Sequence, residues 1–155
     1  MPQLHAFAER TIAAPAAAVY SLLADYREGH PCILPPAFSD LTVLSGGIGA
    51  GTEIRFALQF AGRKQVVEAR VAEPEPGRVL SEAYEEKSAV TRFTVDPIEN
   101  QSQVRIETSW ESSRGLAGLI ERLIAPRMFR KLYAEELDLI ERWAIDQDFT
   151  RTRVR

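Results

Sequence analysis

A stripe of apolar residues at helical spacing runs through the last forty residues, behind a train of short alternating segments. From Gly115 to about Ile145 the stripe holds Leu116, Leu119, Ile120, Leu123, Ile124, Met128, Leu132, Leu137, Ile140 and Trp143. Glu121, Arg122, Arg130, Lys131, Glu135 and Glu141 fall between them, so one greasy face is set against a charged one. Ahead of it lie some seven segments of two-residue period and one other convincing helix. A single sheet with a long helix laid along it can leave a hollow between the two layers. Pro126 inside the stripe predicts a kink, which would let the helix follow a twisted sheet or open a portal.

The alternating segments can be placed from their turns. Leu4 to Ala13 reads as a first strand, with Ala6, Ala8 and Ile12 on one face and Phe7, Glu9 and Thr11 on the other; the pattern leaves the inward face open. Pro15 suits the first turn of a helix that carries Val19, Leu22, Leu23 and Tyr26 and runs to about Tyr26. The connector Gly29 to Asp40 has three prolines but also Ile33, Leu34 and Phe38, so it is expected to fold inward, with a short helix starting near Pro36. Strands follow at Leu41 to Leu44, Thr52 to Phe60, Gln65 to Val71, Arg78 to Glu86, Val90 to Val95 and Gln103 to Glu111. Turns this frequent leave room only for antiparallel neighbours.

Bulk properties narrow the function classes. A chain of 155 residues fits one domain, taken here as 1–147, with a frayed tail at 148–155. A net charge of -3 argues against a nucleic-acid footprint. Cys32 has no partner cysteine, which excludes an internal disulfide and argues against a cysteine-based metal site. No run approaches a membrane span, and the start lacks the basic and apolar blocks of a signal peptide. The expectation is a cytoplasmic protein with no cofactor, no metal, no nucleic-acid partner and no integral membrane segment.

The order of elements resembles the START / polyketide-cyclase / birch-pollen-allergen-like superfamily of helix-grip proteins (SRPBCC). The resemblance rests on the strand leading into TIAAPAAAVYSLLADY (Thr11 to Tyr26), on GGIGAGTEIRF (Gly46 to Phe56), on VAEPEPGRVLSE (Val71 to Glu82) and on EELDLIERWA (Glu135 to Ala144). It covers nearly the whole chain, through motifs that are loose and structural. It implies an α+β fold in which a curved seven-stranded antiparallel sheet wraps a long C-terminal helix, with a cavity for an apolar ligand between them. It does not imply a reaction.

Strand phase nominates the residues of such a cavity. Phe56, Leu58 and Phe60 share one face, Phe93 and Val95 a second, and Ile106, Thr108 and Trp110 a third. Tyr84, Thr91 and Thr108 are the polar groups in phase with these apolar neighbours, and Trp110, near a strand end, is placed as a cap. Leu123, Met128 and Leu132 are expected on the helix side, with Tyr26, Leu34 and Phe38 at the mouth. The loop Gly47-Ile48-Gly49-Ala50-Gly51 precedes a strand and not a helix, so it reads as a tight turn and not as a dinucleotide loop. His5 and His30 share no metal spacing, and a His30–Cys32 catalytic pair lacks an orienting group; His30 reads as a surface residue, or as a polar contact at the mouth. Glu82 lies in SEAYEEK, which reads more simply as a charged edge strand than as catalytic machinery. Arg10, Arg92 and Arg127 are candidate partners for an anionic head group, though solvated positions suit them as well.

No catalytic motif is matched, so no catalytic residue is assigned. The reading is a binding protein for a hydrophobic or amphipathic small molecule such as a lipid, isoprenoid or polyketide-like compound. The alternatives are a cyclase/dehydratase-type enzyme and a protein-interaction module with a filled core. A cavity holding two or more buried ionisable groups would favour the enzyme, hydroxyls alone the carrier, and a solid core the module.

Overall fold

The computed structural model describes residues 3–60 and 62–147. The proposed tail, 148–155, and the side chain of Phe60 lie outside the described residues. Strand β1 (Gln3–Ile12) leads into helix α1 (Ala16–Ala24), a 3-10 turn (His30–Ile33), and strands β2 (Phe38–Ser45), β3 (Glu53–Phe60), β4 (Arg63–Glu75) and β5 (Val79–Tyr84). A second 3-10 turn (Glu86–Ser88), β6 (Val90–Ile98), β7 (Gln101–Glu111) and helix α2 (Gly115–Gln147) complete the order. The seven strands form one antiparallel sheet in the order β1-β7-β6-β5-β4-β3-β2. Register shifts in β2 at Ser39/Thr42 and in β4 at Ala72/Glu75 bend the sheet, as bulges do. The α+β architecture with α2 across the concave face is the one the resemblance implies.

The ambiguous first strand turns Ala6 and Ile12 into the core, and Arg10 on the same face ties β1 to α2. Its guanidinium donates to Asp138 and, at 3.0 Å, to Glu141. Helix α1 stops at Ala24, short of Tyr26. Asp25 takes an extended backbone there, and its carboxylate accepts the N–H groups of Arg27 and Glu28. The glycine loop before β3 grips this end: the Tyr26 N–H donates to Gly47 and the Gly49 N–H to Ala24, both at 2.9 Å. Gly49 holds φ +64, and a Cβ there would lie 2.6 Å from the Glu73 carboxylate.

Two local expectations fail. No helix starts at Pro36; the connector forms its single 3-10 turn earlier, with Pro31 in the first turn, and β2 already begins at Phe38. The SEAYEEK segment is not a sheet edge either. β5 lies between β4 and β6 at the sheet's centre, with Leu80 and Glu82 buried, and the edges are β1 and β2.

Helix α2 is one helix through Pro126, but its halves have different surroundings. Leu132, Tyr133, Glu136, Leu137, Ile140 and Ala144 are buried, whereas the stretch before them buries only Gly118 and Ala125. Leu137 and Ile140, at 1% and 0% exposure, each contribute about 1.5–3 kcal/mol of burial and anchor the helix over β1. The first half overhangs the sheet. That overhang leaves the hollow.

Candidate functional site

Between the concave face and α2 lies a cavity of about 660 Å³, within the usual range of small-molecule pockets. The interior is therefore not packed solid. Its long wall comes from β3 and β6, where Ile54, Phe56, Leu58 and Phe93 alternate inward at two-residue spacing. Leu34 from the connector and Phe38 at the start of β2 close one side. The roof is α2, through Ala117, Glu121, Ala125 and Phe129 at four-residue spacing and then Tyr133 and Glu136. Trp110 donates its indole N–H to Glu121 at 2.9 Å, and the other oxygen of Glu121 accepts the Ser113 N–H, which fastens the overhanging end of α2 to β7.

One end of the cavity is polar and buried. Glu82 accepts from the Tyr26 hydroxyl at 2.7 Å and from the Tyr84 hydroxyl at 2.5 Å. His30, 3% exposed, presents Nδ1 to the Leu23 carbonyl at 2.7 Å. A carbonyl oxygen only accepts, so Nδ1 carries the hydrogen and Nε2 is left to face the carboxyls. It lies 3.7 Å from Glu82 and 4.0 Å from Glu136. The ring is held between Tyr26, stacked at 4.5 Å, and the edge of Phe93 at 5.5 Å. Glu136 has one oxygen with no hydrogen-bond partner. Burial, and then the charge of Glu82, hold its carboxyl well above the usual carboxylate range, which favours its protonated form. Burial likewise pushes the Tyr26, Tyr84 and Tyr133 hydroxyls up, so they act as donors. Thr91 and Thr108, paired across β6 and β7, share a hydrogen bond of 2.7 Å, and Thr108 also meets the Tyr133 hydroxyl.

The residues nominated from strand phase, namely Phe56, Leu58, Tyr84, Thr91, Phe93, Thr108 and Trp110, all line this cavity together with Leu34 and Phe38. Tyr26 does not sit at the mouth; it is buried behind the cavity wall and reaches Glu82 with its hydroxyl. The helix-side assignments are out of phase. Leu123 is 62% exposed on the outer face, Met128 is half-buried and does not line the cavity, and Leu132 belongs to the packed core. The cause is that the first half of α2 carries Leu116, Leu119 and Leu123 outward, with Ala117 and Ala125 inward and Ile120 and Ile124 at the rim. His30 is not a surface residue, and Glu82 is not on an edge. None of the arginines proposed for a head group lines the cavity; Arg63 of β4 does. Glu136 and Tyr133 were missed, although a signal existed: an acid at the buried phase of the stripe, beside Leu132, Leu137 and Ile140.

Comparison with known proteins places this geometry. Residues 3–143 match the family described as polyketide cyclase / dehydrase and lipid transport. The solution structure of the KanY protein is similar at 31% identity and a TM-score of 0.80, covering 93% of this chain and 99% of that one. The Zhui aromatase/cyclase from Streptomyces sp. R1128 is similar in fold at 17% identity and a TM-score of 0.78, covering 97% and 98%. A START superfamily protein from Mycobacterium smegmatis shares the fold at 14% identity and a TM-score of 0.72, covering 92% and 98%. No curated protein matches the chain. With a cavity beneath its long helix and a family match over nearly its whole length, the chain belongs to the family described as polyketide cyclase / dehydrase and lipid transport, and it shares the fold of a START superfamily protein.

Proposed function

We propose that this protein binds a hydrophobic or amphipathic small molecule, with the apolar body against Phe56, Leu58 and Phe93 and a polar end directed at Glu136 and Glu82. The observation that carries the reading is the cavity of about 660 Å³, apolar along its length and polar at one buried end. A pocket of that form orients a ligand as well as holding it, because a few fixed polar groups select the end that may approach them. Native mass spectrometry of freshly purified protein, followed by extraction, tests it. A discrete small-molecule adduct, lost in Phe56→Ala, is expected. An adduct-free spectrum, with no thermal shift across a panel of amphipathic compounds, would overturn it.

A second reading, a cyclase/dehydratase-type enzyme, meets the criterion of two or more buried ionisable groups in the cavity. Two buried carboxyls and a histidine converge at the polar end, with the Glu136 carboxyl held well above its ordinary range and Nε2 of His30 4.0 Å from it. An acid that gives a proton to a ligand oxygen beside a base that takes one from carbon is what ring closure and loss of water both need. Conversion of an extracted ligand by the protein, abolished in Glu136→Gln while binding persists, supports this reading. Binding without conversion leaves the carrier.

A further inference from the structure

The outward face of the first half of α2 is chemically unlike the rest of the surface. Positions 116, 119, 120 and 123 share that face at helical spacing, and Leu116 is 74% exposed, Leu119 52% and Leu123 62%. Ile120 and Ile124, each about half exposed, stand at the rim and also line the cavity. Soluble proteins rarely leave contiguous aliphatic surface of this kind without a use for it. The stripe is roughly 12 Å long at 1.5 Å per residue. The same face then continues into Arg127, Arg130 and Lys131, with Arg122 on its flank, all described side chains that are exposed. Between 116 and 131 the one acid in the sequence is Glu121, and it is turned inward to Trp110 and Ser113. A cationic, aliphatic face thus stands out on a chain whose net charge is -3.

We propose that this half of α2 lies flat on a bilayer surface rich in anionic head groups, with the cavity mouth opening against the lipid. Leu116, Leu119 and Leu123 enter the head-group boundary, while Arg122, Arg127, Arg130 and Lys131 meet the phosphates. This is the pairing of apolar insertion with cation attraction that gives interfacial helices their affinity. A second copy of the chain fits the face less well, because symmetric pairing would set the basic cluster against its twin. A soluble polyanion would satisfy the cations and leave the leucines in water. Docking is independent of what fills the cavity. Its consequence, that a ligand passes between bilayer and cavity along Ile120 and Ile124, rests on the binding reading above.

Co-sedimentation of the full chain with extruded vesicles tests the proposal. Pure phosphatidylcholine is compared with vesicles containing about a third phosphatidylglycerol. The protein is expected to pellet with the anionic vesicles, and to be released as salt is raised. Arg122→Ala/Arg127→Ala should weaken partitioning about 25-fold, at roughly fivefold per basic side chain. Leu119→Ser/Leu123→Ser should weaken it more than a hundredfold, as expected for about 1.5–3 kcal/mol per buried leucine. All four positions are exposed, so far-UV circular dichroism should be unchanged, and Arg92→Ala on the opposite sheet face serves as control. Failure to pellet with either vesicle, or equal pelleting by the variants, would overturn the proposal. A dimer in solution that Leu119→Ser/Leu123→Ser dissolves would assign the face to a second copy instead. Pelleting is read with no small molecule present, so its failure leaves the cavity reading standing, and an empty cavity leaves the pelleting result standing.

Discussion

Glu136→Gln gives the sharpest test of the buried polar end. Glu136 is 2% exposed, and its carboxyl is held up first by burial and then by the charge of Glu82. In the unfolded chain the same group loses its proton near 4.5. Above that pH, and up to the folded value, the native state holds a proton that the unfolded chain has released. Stability therefore falls as pH rises through this window, by about 1.4 kcal/mol per pH unit from this one group. Below the unfolded value both states are protonated, and the group adds no pH dependence. Glutamine keeps the shape and neutrality of the protonated acid but cannot titrate. The stability of wild type minus that of Glu136→Gln should thus decline with that slope from about pH 5 upward, then flatten beyond the folded value. Urea unfolding followed by the fluorescence of Trp110 and Trp143 measures both curves. In a Glu82→Gln background the break should move to lower pH without vanishing, because burial is the larger cause. A difference that stays flat between about pH 5 and 8 would refute the reasoning, since it would mean that Glu136 is solvated or ionised in the native state.

Two further substitutions probe the walls. Phe56, 6% exposed and in ring contact with Phe38 and Tyr84, should cost about 3–5 kcal/mol on replacement by alanine and leave a larger cavity, checked by denaturant unfolding of variants that remain folded. Gly118→Ala should destabilise by about 1–3 kcal/mol, although alanine is the better helix former, because its Cβ would lie 1.8 Å from the Ser113 carbonyl oxygen; a raised melting temperature would contradict this.

Sequence pattern and structure agree where a single period governs the residues. The alternation in β3 identifies Ile54, Phe56 and Leu58 as inward because one face of that strand meets the cavity and the other meets solvent. The same logic succeeds for Thr91, Phe93 and Thr108. It misleads in α2, where one stripe serves two environments. Leu132, Leu137 and Ile140 pack into the core, while Leu116, Leu119 and Leu123 point away from it, and hydrophobicity alone does not separate a buried aliphatic from an exposed one. The polar end was hidden for a different reason. Glu82, His30 and Glu136 come from β5, the connector and α2; the first two look like surface residues among their own neighbours, and only Glu136 carries a local signal, its place at the buried phase of the stripe. What makes them a site is strand order, which puts β5 in the middle of the sheet. Tyr26 shows the same limit: its spacing placed it on a helix, but the helix ends before it and frees it to reach Glu82.

The pairing of β1 with β7 has a consequence for how the molecule is made. Gln3 lies opposite Glu111 and Ile12 opposite Ser102, partners that lie 108 and 90 residues later in the chain. At synthesis rates of about 5–20 residues per second, β1 waits roughly 5–20 seconds for its neighbour. During that wait β2 to β6 can already zip together as successive hairpins, so the sheet grows towards β1 and not from it. The edge of β1 stays unpaired until β7 arrives, and its inward row of Ala6, Ala8 and Ile12 stays uncovered until α2 does. The lid over the concave side comes later still, since α2 follows β7 in the chain. The nascent chain is therefore at its stickiest between the emergence of β6 and that of α2, with a nearly finished sheet, an open hollow and a spare strand. A stalled or truncated product ending near β6 would carry all three into the cell.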